Sequence, residues 1–243
     1  MRQNRIYVAD KLAPEESLSL AGNRAHYLHR VLRLGEGDNI TLFNGDGWDY
    51  AATIVSRGKD QVNIEVSAQL PAVPESPLQL TLVQALARGE RMDLSLQKAT
   101  ELGVSKIQPL LSERVEVKLS GHRLEKRMHH WRGVIISACE QSGRAKLPEL
   151  CIPQALGDWL AGERPEHSYA LHPRSDASLV AVLPAAEPIA LLVGPEGGFS
   201  EVEVLLMQAA GVRPVSFGRR ILRTETAGPA AIAAIQSQVG DMA

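Results

Sequence analysis

The sequence changes its pattern at a proline-rich segment, residues 69–77. This segment holds three prolines in nine residues, and proline fits neither a helix interior nor a central strand because it lacks a backbone donor. Short strand-like runs precede it, whereas strands and helices alternate after it. We therefore predict two domains, one over residues 1–72 and one over residues 73–243.

The first domain is predicted to consist mostly of β-strands. Asn44-Gly45 and Asp46-Gly47 supply the positive φ angles that a tight hairpin requires, and residues 57–60 have the composition of the next turn. The strands predicted around these turns are Arg5–Val8, Asn39–Phe43, Trp48–Val55 and Gln61–Val66.

One segment of this domain has a different period. From Asn23 to Leu34 the apolar residues recur at helical spacing, while His26, Arg30 and Arg33 share another face. The first domain is therefore predicted to be a small β-barrel that carries one basic helix.

The second domain is predicted to be an α/β fold. Alternation of strands and helices is typical of a parallel sheet with helices on both faces. The predicted strands are Leu78–Ala85, Lys106–Leu111, Tyr169–Leu171 and Ile189–Val193, and the predicted helices are Met92–Leu102, Arg123–Gln141, Glu201–Ala210 and Ala227–Val239.

Charge is distributed unevenly along the chain. The whole sequence has 26 Lys plus Arg against 28 Asp plus Glu, a balance that predicts no global attraction to nucleic acid. Residues 86–146, however, carry 12 basic and 7 acidic side chains, whereas residues 147–243 carry 6 and 11. This asymmetry indicates either a local surface that holds a phosphate backbone or a solvated basic helix face.

The cysteines and the N-terminus exclude several classes of protein. Cys139 and Cys151 have neither zinc-ligand spacing nor a disulfide framework, so we interpret both as reduced structural residues. The N-terminus lacks an apolar signal region, and no run approaches the roughly 18 apolar residues of a membrane span. We expect a cytosolic protein.

The run Leu191–Ser200 combines a buried strand, a glycine loop and a helix start. Ser200 and Glu203 form a capping pattern, so the loop leads into a helix N-terminus, where free N–H groups bind polar or anionic atoms. Ligands of open α/β sheets bind at the carboxyl ends of strands, although a plain glycine-rich connection is the alternative. Neither GxGxxG nor GxxxxGK[ST] occurs in the sequence, which disfavours dinucleotide and P-loop sites.

Three further polar runs are candidates for a site. Residues 217–227 place more polar groups before the last predicted helix than capping requires, and buried polar groups need partners. His172 follows a predicted strand and is either a ligand-loop residue or an ordinary turn histidine. Residues 138–144 offer a carboxylate, an amide and a guanidinium, or simply terminate the basic helix.

Six motifs of this sequence, taken in order, resemble those of the RsmE family. They are RxxRIYV, HRVLRLGEGD, KATELGVSKIQPLLSER, ACEQSGR, LVGPEGGFS and RILRTETA, and they span residues 5 to about 240. The members of that family are bacterial enzymes that methylate N3 of a uridine in 16S ribosomal RNA. The resemblance implies a PUA-like β-barrel followed by a SPOUT domain, whose parallel sheet is flanked by helices and contains a trefoil knot.

The same resemblance implies S-adenosylmethionine as the cofactor, held in a bent shape by the three knot loops. It also implies a homodimer that completes the active site, and 16S ribosomal RNA, within the 30S subunit, as the partner. The cofactor-binding residues expected in the three loops are Leu171, His172, Val193, Gly194, Pro195, Glu196, Gly197, Gly198, Phe217, Gly218, Ile221, Leu222, Arg223, Thr226 and Ala227.

Methyl transfer to uridine N3 defines the catalytic groups that we expect. Transfer from a sulfonium needs alignment and no metal, but the N3 proton must leave, so a guanidinium that stabilises the anion or a base is required. Arg223 and Arg144 are the candidates for the first role, and Glu225 or Glu196 for the second. The residues expected to bind RNA are Arg5, His26, Arg30, Arg33, Arg88, Lys98 and Arg114, with Lys126 and Arg127 as further basic groups.

Three alternatives stay open at this point. A ribosome-assembly protein that has lost cofactor binding is disfavoured by the intact GPEGG and RTETA runs. A SPOUT enzyme with another target nucleotide shares the cofactor loops, so only the N-terminal barrel favours uridine. An α/β oxidoreductase is disfavoured because GxGxxG is missing.

Overall fold

The computed structural model of the protein describes residues 4–58, 60–115, 120–185 and 187–242, with only the backbone of Asn23. The chain folds as two compact units. One comprises Met1–Pro74 together with Cys139–Leu147, and the other comprises Glu75–Ala138 together with Pro148–Ala243. The first unit therefore ends inside the proline-rich segment and includes a later stretch that the sequence did not assign to it.

The first unit is built on a curled five-stranded sheet with the order β1-β3-β4-β5-β2. β1 pairs with β3 in parallel, and the other neighbours are antiparallel. Alternate residues of β4 and β5, such as Ile54 and Ile64, are buried in one apolar core. The strands are β1 (Arg5–Tyr7), β2 (Ser17–Ala21), β3 (Asn39–Phe43), β4 (Trp48–Arg57) and β5 (Gln61–Pro71).

β2 is an edge strand that sequence analysis missed. It pairs only with β5 among the described strands, and of its five residues only Leu20 is fully buried. An edge strand buries little side-chain surface, so its apolar pattern is weak. The four strands that were predicted from stronger patterns are all present.

The predicted basic helix is shorter than expected. α1 (Asn23–His26) continues as a π-helical turn, Tyr27–Val31, and the helix stops before Leu34 because Arg33 has a φ of 57°. Leu28 is fully buried, and Leu32 and Leu34 pack against the core from outside the helix.

Both predicted turns occur in the first unit. Gly45 and Gly47 each have a φ of 96°, and Asp46 accepts a hydrogen bond from the backbone of Trp48 at 2.9 Å. The N–H of Gly58 donates to the carbonyl of Gln61 at 2.8 Å. Lys59 of the predicted second turn, and Met1 to Gln3 of the first motif, lie outside the described residues.

The second unit contains a parallel sheet with the order β12-β10-β11-β6-β7-β8, and β9 also pairs with β7. β11 is buried along its whole length, as expected for a central strand covered on both faces. The strands are β6 (Leu80–Ala85), β7 (Lys106–Leu111), β8 (Glu149–Leu150), β9 (Gln154–Ala155), β10 (His167–Leu171), β11 (Ile189–Val193) and β12 (Arg213–Val215).

Helices cover both faces of this sheet, which confirms the predicted fold class. Ala190 and Leu192 of β11 pack in one apolar cluster with three larger side chains. These are Trp159 of α4, Phe199 just before α5, and Met207 of α5. α6 contacts β11 and α2. The helices are α2 (Glu90–Glu101), α3 (Gly121–Ser142), α4 (Leu156–Ala161), α5 (Glu201–Ala209) and α6 (Thr224–Val239).

α6 begins three residues earlier than predicted. Arg223 is its N-cap residue, and the carbonyl of Arg223 accepts hydrogen bonds from the N–H groups of Thr226 and Ala227 at 2.9 and 2.8 Å. The first turn of a helix tolerates polar residues because its N–H groups have no intrahelical partner, so the polar run does not delay the helix. The short elements β12 and α4 were also missed by sequence analysis.

None of the described helices is long and apolar enough to cross a membrane. The trefoil knot stays a prediction.

Candidate functional site

The predicted ligand loops leave the same edge of the parallel sheet. β12, β10, β11 and β6 are consecutive neighbours with the same direction, so their carboxyl ends lie side by side. The N–H of His172, just after β10, donates to the carbonyl of Val215 at the end of β12 at 2.8 Å. Ser175 adds a hydrogen bond to the carbonyl of Pro214 at 2.7 Å. The loops after β10 and β12 are thus joined to each other.

Thr224 joins the glycine loop to α6. Its hydroxyl donates to the carbonyl of Gly194 at 2.7 Å and accepts from the side-chain amide of Gln84 in β6 at 3.0 Å. Thr224 and Gln84 are both buried. Two strands and the helix are therefore held together by one hydroxyl group directly below the loop.

The glycine loop, residues 194–198, is closely folded. A Cβ at Gly194 would lie 3.2 Å from the Cα of Gly198 and 3.2 Å from the nitrogen of Phe199, which is tighter than most Cβ contacts. Gly198 has a φ of 68°, which favours glycine. The N–H of Gly198 donates to the carbonyl of Pro195 at 2.8 Å. The loop accepts no side chain at Gly194 without rearrangement.

The predicted capping box of α5 is confirmed. The hydroxyl of Ser200 accepts from the N–H of Glu203, and the carboxylate of Glu203 accepts from the N–H of Ser200 at 2.9 Å. The second oxygen of Glu203 accepts from the N–H of Glu113 at 2.8 Å. One buried carboxylate thus fixes the end of the glycine loop against the segment after β7.

Glu196, at the tip of the glycine loop, is paired with the start of α2. Its Oε1 accepts from the backbone N–H of Arg88 at 3.1 Å and from the guanidinium of Arg91 at 2.8 Å. Partial burial alone would raise the pKa of Glu196, but these hydrogen bonds and the charge of Arg91 outweigh it and hold the pKa below its usual value. Glu196 is therefore a carboxylate at neutral pH.

The third loop offers main-chain groups to a ligand. Within the described chain, the N–H groups of residues 217–223 donate no hydrogen bond to another protein atom. Most of this loop is exposed, and Gly218, with a φ of 74°, has open space where a Cβ would lie. These main-chain donors are therefore accessible to a polar ligand.

Comparison with known proteins identifies the family. The model of an RNA methyltransferase domain matches residues 74–236, and that of an RNA methyltransferase PUA domain matches residues 20–67. Ribosomal RNA small subunit methyltransferase E of Buchnera aphidicola is 33% identical over 98% of this chain and 97% of its own length. The chain belongs to the ribosomal RNA small subunit methyltransferase E family.

Solved structures agree with this family. A Legionella pneumophila methyltransferase with bound SAM is 38% identical, with a TM-score of 0.95 over 99% of this chain and 100% of its own. The Neisseria gonorrhoeae ribosomal RNA small subunit methyltransferase E, bound to S-adenosyl methionine, is 37% identical with a TM-score of 0.91 over 99% and 100%. A methyltransferase E fold with a PUA-like first unit and a SPOUT second unit is thus confirmed.

The predicted catalytic residues fall into different units of this methyltransferase E chain. Arg223 and Glu225 lie at the start of α6, where Arg223 is exposed and the side chain of Glu225 is 14% exposed. Oε2 of Glu225 is buried without a hydrogen-bond partner among the described residues. Arg144 is buried in the first unit, and its carbonyl accepts from the guanidinium of Arg5 at 3.1 Å.

The predicted RNA-binding residues differ in accessibility. His26, Arg30, Arg33 and Arg88 are exposed. Arg5 is buried, forms an ion pair with Asp49 and stacks on Phe43. Arg5 thus has partners inside its unit, and its contact with RNA stays a prediction.

Two other predicted RNA-binding residues have partners within the second unit. Lys98 pairs with Glu101 at 2.8 Å on α2. The guanidinium of Arg114 donates to the carbonyl of Gly197 at 2.6 Å. Arg114 therefore supports the glycine loop, a contact that its sequence position did not suggest.

Two residues of the site escaped sequence analysis. Gln84 is the one fully buried amide in the apolar run of β6, and that polar interruption was a usable signal. Arg91 is an ordinary helix-surface arginine in sequence, so no local signal existed. The described residues contain no group of acidic, histidine or cysteine side chains that could hold a metal ion.

One cavity lies away from this site. It has a volume of about 770 Å³ and is lined by Arg164, His167 and Arg213, at the amino ends of β10 and β12. This is the sheet edge opposite the three loops, whereas a cavity of about 610 Å³ is lined by Arg91 and Glu225. The chemistry of the loops, and not cavity volume, identifies the site.

Proposed function

We propose that this protein transfers a methyl group from S-adenosylmethionine to N3 of a uridine in 16S ribosomal RNA of the small subunit. The observation that carries the proposal is the set of three loops at one sheet edge, joined through Thr224 and Gly194. Family membership and two structural neighbours with bound cofactor support it. We further propose that residues 1–72 bind RNA and residues 73–243 bind the cofactor.

The loops fit S-adenosylmethionine by their chemistry. Main-chain donors of residues 217–223 suit a purine edge, and the compact glycine loop lets a backbone approach the ligand closely. The residues proposed to bind the cofactor are Leu171, His172, Val193, Gly194, Pro195, Glu196, Gly197, Gly198, Phe217, Gly218, Ile221, Leu222, Arg223, Thr226 and Ala227.

When bound, S-adenosylmethionine supplies a methyl group on a sulfonium that leaves as a neutral thioether. In our proposal Arg223 stabilises the uridine anion, helped by the positive end of α6. Oε2 of Glu225, which has no hydrogen-bond partner among the described residues, accepts the proton that leaves N3 before the methyl group is transferred. Arg144 is proposed as a second anion-stabilising residue.

The RNA-binding residues that we propose are His26, Arg30 and Arg33 in the first unit and, separately, Arg88 in the second. All four side chains are exposed, and phosphate contacts need groups that can reach the RNA backbone. We also propose that the protein acts on the 30S subunit as a homodimer, in the cytoplasm, where that substrate is found.

The first test is methyl transfer from labelled S-adenosylmethionine to small subunits that lack the modification, with the product nucleoside identified by mass spectrometry. We expect N3-methyluridine. A different methylated nucleoside would show that uridine N3 is not the target. Cofactor binding without any methylation would contradict the enzymatic proposal.

The catalytic assignments are tested separately. Arg144→Ala is expected to lose turnover while it keeps cofactor and RNA affinity, and Arg223→Ala is expected to lose more turnover than cofactor affinity. Arg132→Met, an exposed position on α3, is the control for loss of a positive charge. Full turnover in both variants would overturn the assignments.

A further inference from the structure

One arginine of the second unit contacts two of the three cofactor loops. The Nη1 atom of Arg91, in the first turn of α2, lies 2.8 Å from Oε1 of Glu196 in the glycine loop. Its Nε atom lies 3.8 Å from Oε1 of Glu225 in the first turn of α6. A planar guanidinium presents several donors in fixed directions, so it can serve two carboxylates at once.

Glu196 also accepts a hydrogen bond from the backbone just before α2. Gly89, its N-cap residue, has no side chain to cap the helix. Glu196 instead accepts from the N–H of Arg88, one residue earlier. A carboxylate is favoured at a helix N-terminus, so the glycine loop and α2 stabilise each other.

We infer that Arg91 is a positioning residue of the cofactor site, whose guanidinium holds Glu196 of the glycine loop and Glu225 of α6 in one arrangement. This inference rests on the proposed function, because it concerns the same loops. Arg91 acts through the two carboxylates and transfers no proton or methyl group. The hydrogen bond to Glu196 and the charges of the two carboxylates raise the pKa of Arg91, and the hydrogen bond and charge of Arg91 help to lower the pKa of Glu196.

The expected effect is moderate. The side chain of Arg91 is 42% exposed and that of Glu196 is 32% exposed, and solvent screens such pairs. We expect Arg91→Met to weaken S-adenosylmethionine binding about fivefold, equivalent to ~1 kcal/mol. Lysine keeps the positive charge but not the fixed donors that face both carboxylates. The cofactor affinity of Arg91→Lys should therefore lie between those of wild type and Arg91→Met.

The experiment measures cofactor affinity by calorimetry for wild type, Arg91→Met, Arg91→Lys, Glu196→Gln and the double variant Arg91→Met/Glu196→Gln. Because both single changes remove the pair of Arg91 and Glu196, the double variant should lose less affinity than the sum of the two single effects. Arg132→Met controls for loss of a positive charge in the same unit. Thermal unfolding of each variant checks that the fold is intact.

The pH dependence separates positioning from simple packing. Protonation of Glu196 breaks its pairs, so wild-type affinity should fall as the pH drops through its lowered pKa. Loss of Arg91 raises that pKa, and the fall should begin at a higher pH in Arg91→Met. If Arg91 acted only by packing, the cofactor affinity of Arg91→Met would depend on pH in the same way as that of wild type.

The outcomes distinguish this inference from the proposed function. If wild type binds the cofactor and Arg91→Met binds within twofold of it, or if the effects of Arg91→Met and Glu196→Gln add, the inference is overturned. If wild type fails to bind the cofactor, the proposed function itself is overturned.

Discussion

Replacing Thr224 with valine tests whether one hydroxyl holds the glycine loop to the sheet. Valine has the shape of threonine but neither donates nor accepts a hydrogen bond. The hydroxyl now donates to the carbonyl of Gly194 at 2.7 Å and accepts from Gln84 at 3.0 Å. Thr224 is 6% exposed and Gln84 is fully buried, so water does not replace the lost group.

The magnitude follows from the partners that remain. The amide of Gln84 keeps its hydrogen bond to the carbonyl of Ala85 at 2.9 Å, whereas the carbonyl of Gly194 loses its donor. A buried polar group left unpaired costs about 1–3 kcal/mol. With one group orphaned and one weakened, we expect a loss of about 2–3 kcal/mol in the free energy of unfolding, or roughly 5–10 °C in Tm.

Differential scanning calorimetry measures this loss. The chain has two compact units, so the relevant transition is the one that excess S-adenosylmethionine raises. Thr224→Ser keeps the hydroxyl and should recover most of the loss. Thr226→Val, an exposed position of the same turn, should change the free energy of unfolding by less than ~0.5 kcal/mol. A Thr224→Val transition within 2 °C of wild type, on the order of the scatter for surface substitutions, would refute the argument.

Three further predictions concern the glycine loop, α3 and the first unit. Gly194→Ala places a Cβ 3.2 Å from backbone atoms and should weaken cofactor binding by calorimetry at least about tenfold, at an overpacking cost of about 1–3 kcal/mol. Gly133→Ala, in open space on α3, should instead stabilise the chain by about 0.5–1 kcal/mol, and unchanged affinity in Gly194→Ala would contradict the packing argument. Burial raises the pKa of Glu140 above 4.5, although the N–H of Tyr7 and nearby arginines oppose it, so ionising Glu140 destabilises the fold as the pH rises from about 4.5. Glu140→Gln should therefore gain stability over wild type in urea unfolding as the pH rises above 4.5. A difference in the free energy of unfolding that does not change with pH would exclude this role.

Local patterns predicted the elements that build the site. The uninterrupted apolar run of β11 and the capping pair Ser200 and Glu203 are signals confined to a few neighbouring residues. Parallel strands place their carboxyl ends together, so the shared edge of the loops also followed. These features follow from the spacing of apolar residues along the chain and from hydrogen bonds between residues that are close in sequence.

Contacts between distant residues escaped the same reasoning. Gln84 and Thr224 are 140 positions apart, and Arg91 and Glu196 are 105 apart. Nothing local distinguishes Arg91 from a solvated arginine of a helix. Likewise, residues 139–147 join the first unit through tertiary packing, and edge strand β2 buries too little to give a clear pattern.

The contacts now show which polar groups of the RTETA run the fold itself requires. Thr224 is used by Gly194 and Gln84, and one oxygen of Glu225 faces Arg91. Within the described chain, the guanidinium of Arg223 and Oε2 of Glu225 have no such partner. A guanidinium at the positive end of α6 does not stabilise the helix, and an unpaired buried oxygen costs free energy. The presence of both groups there is therefore better explained by a ligand that pairs with them, which makes Arg223 and Glu225 the first residues to mutate for catalysis.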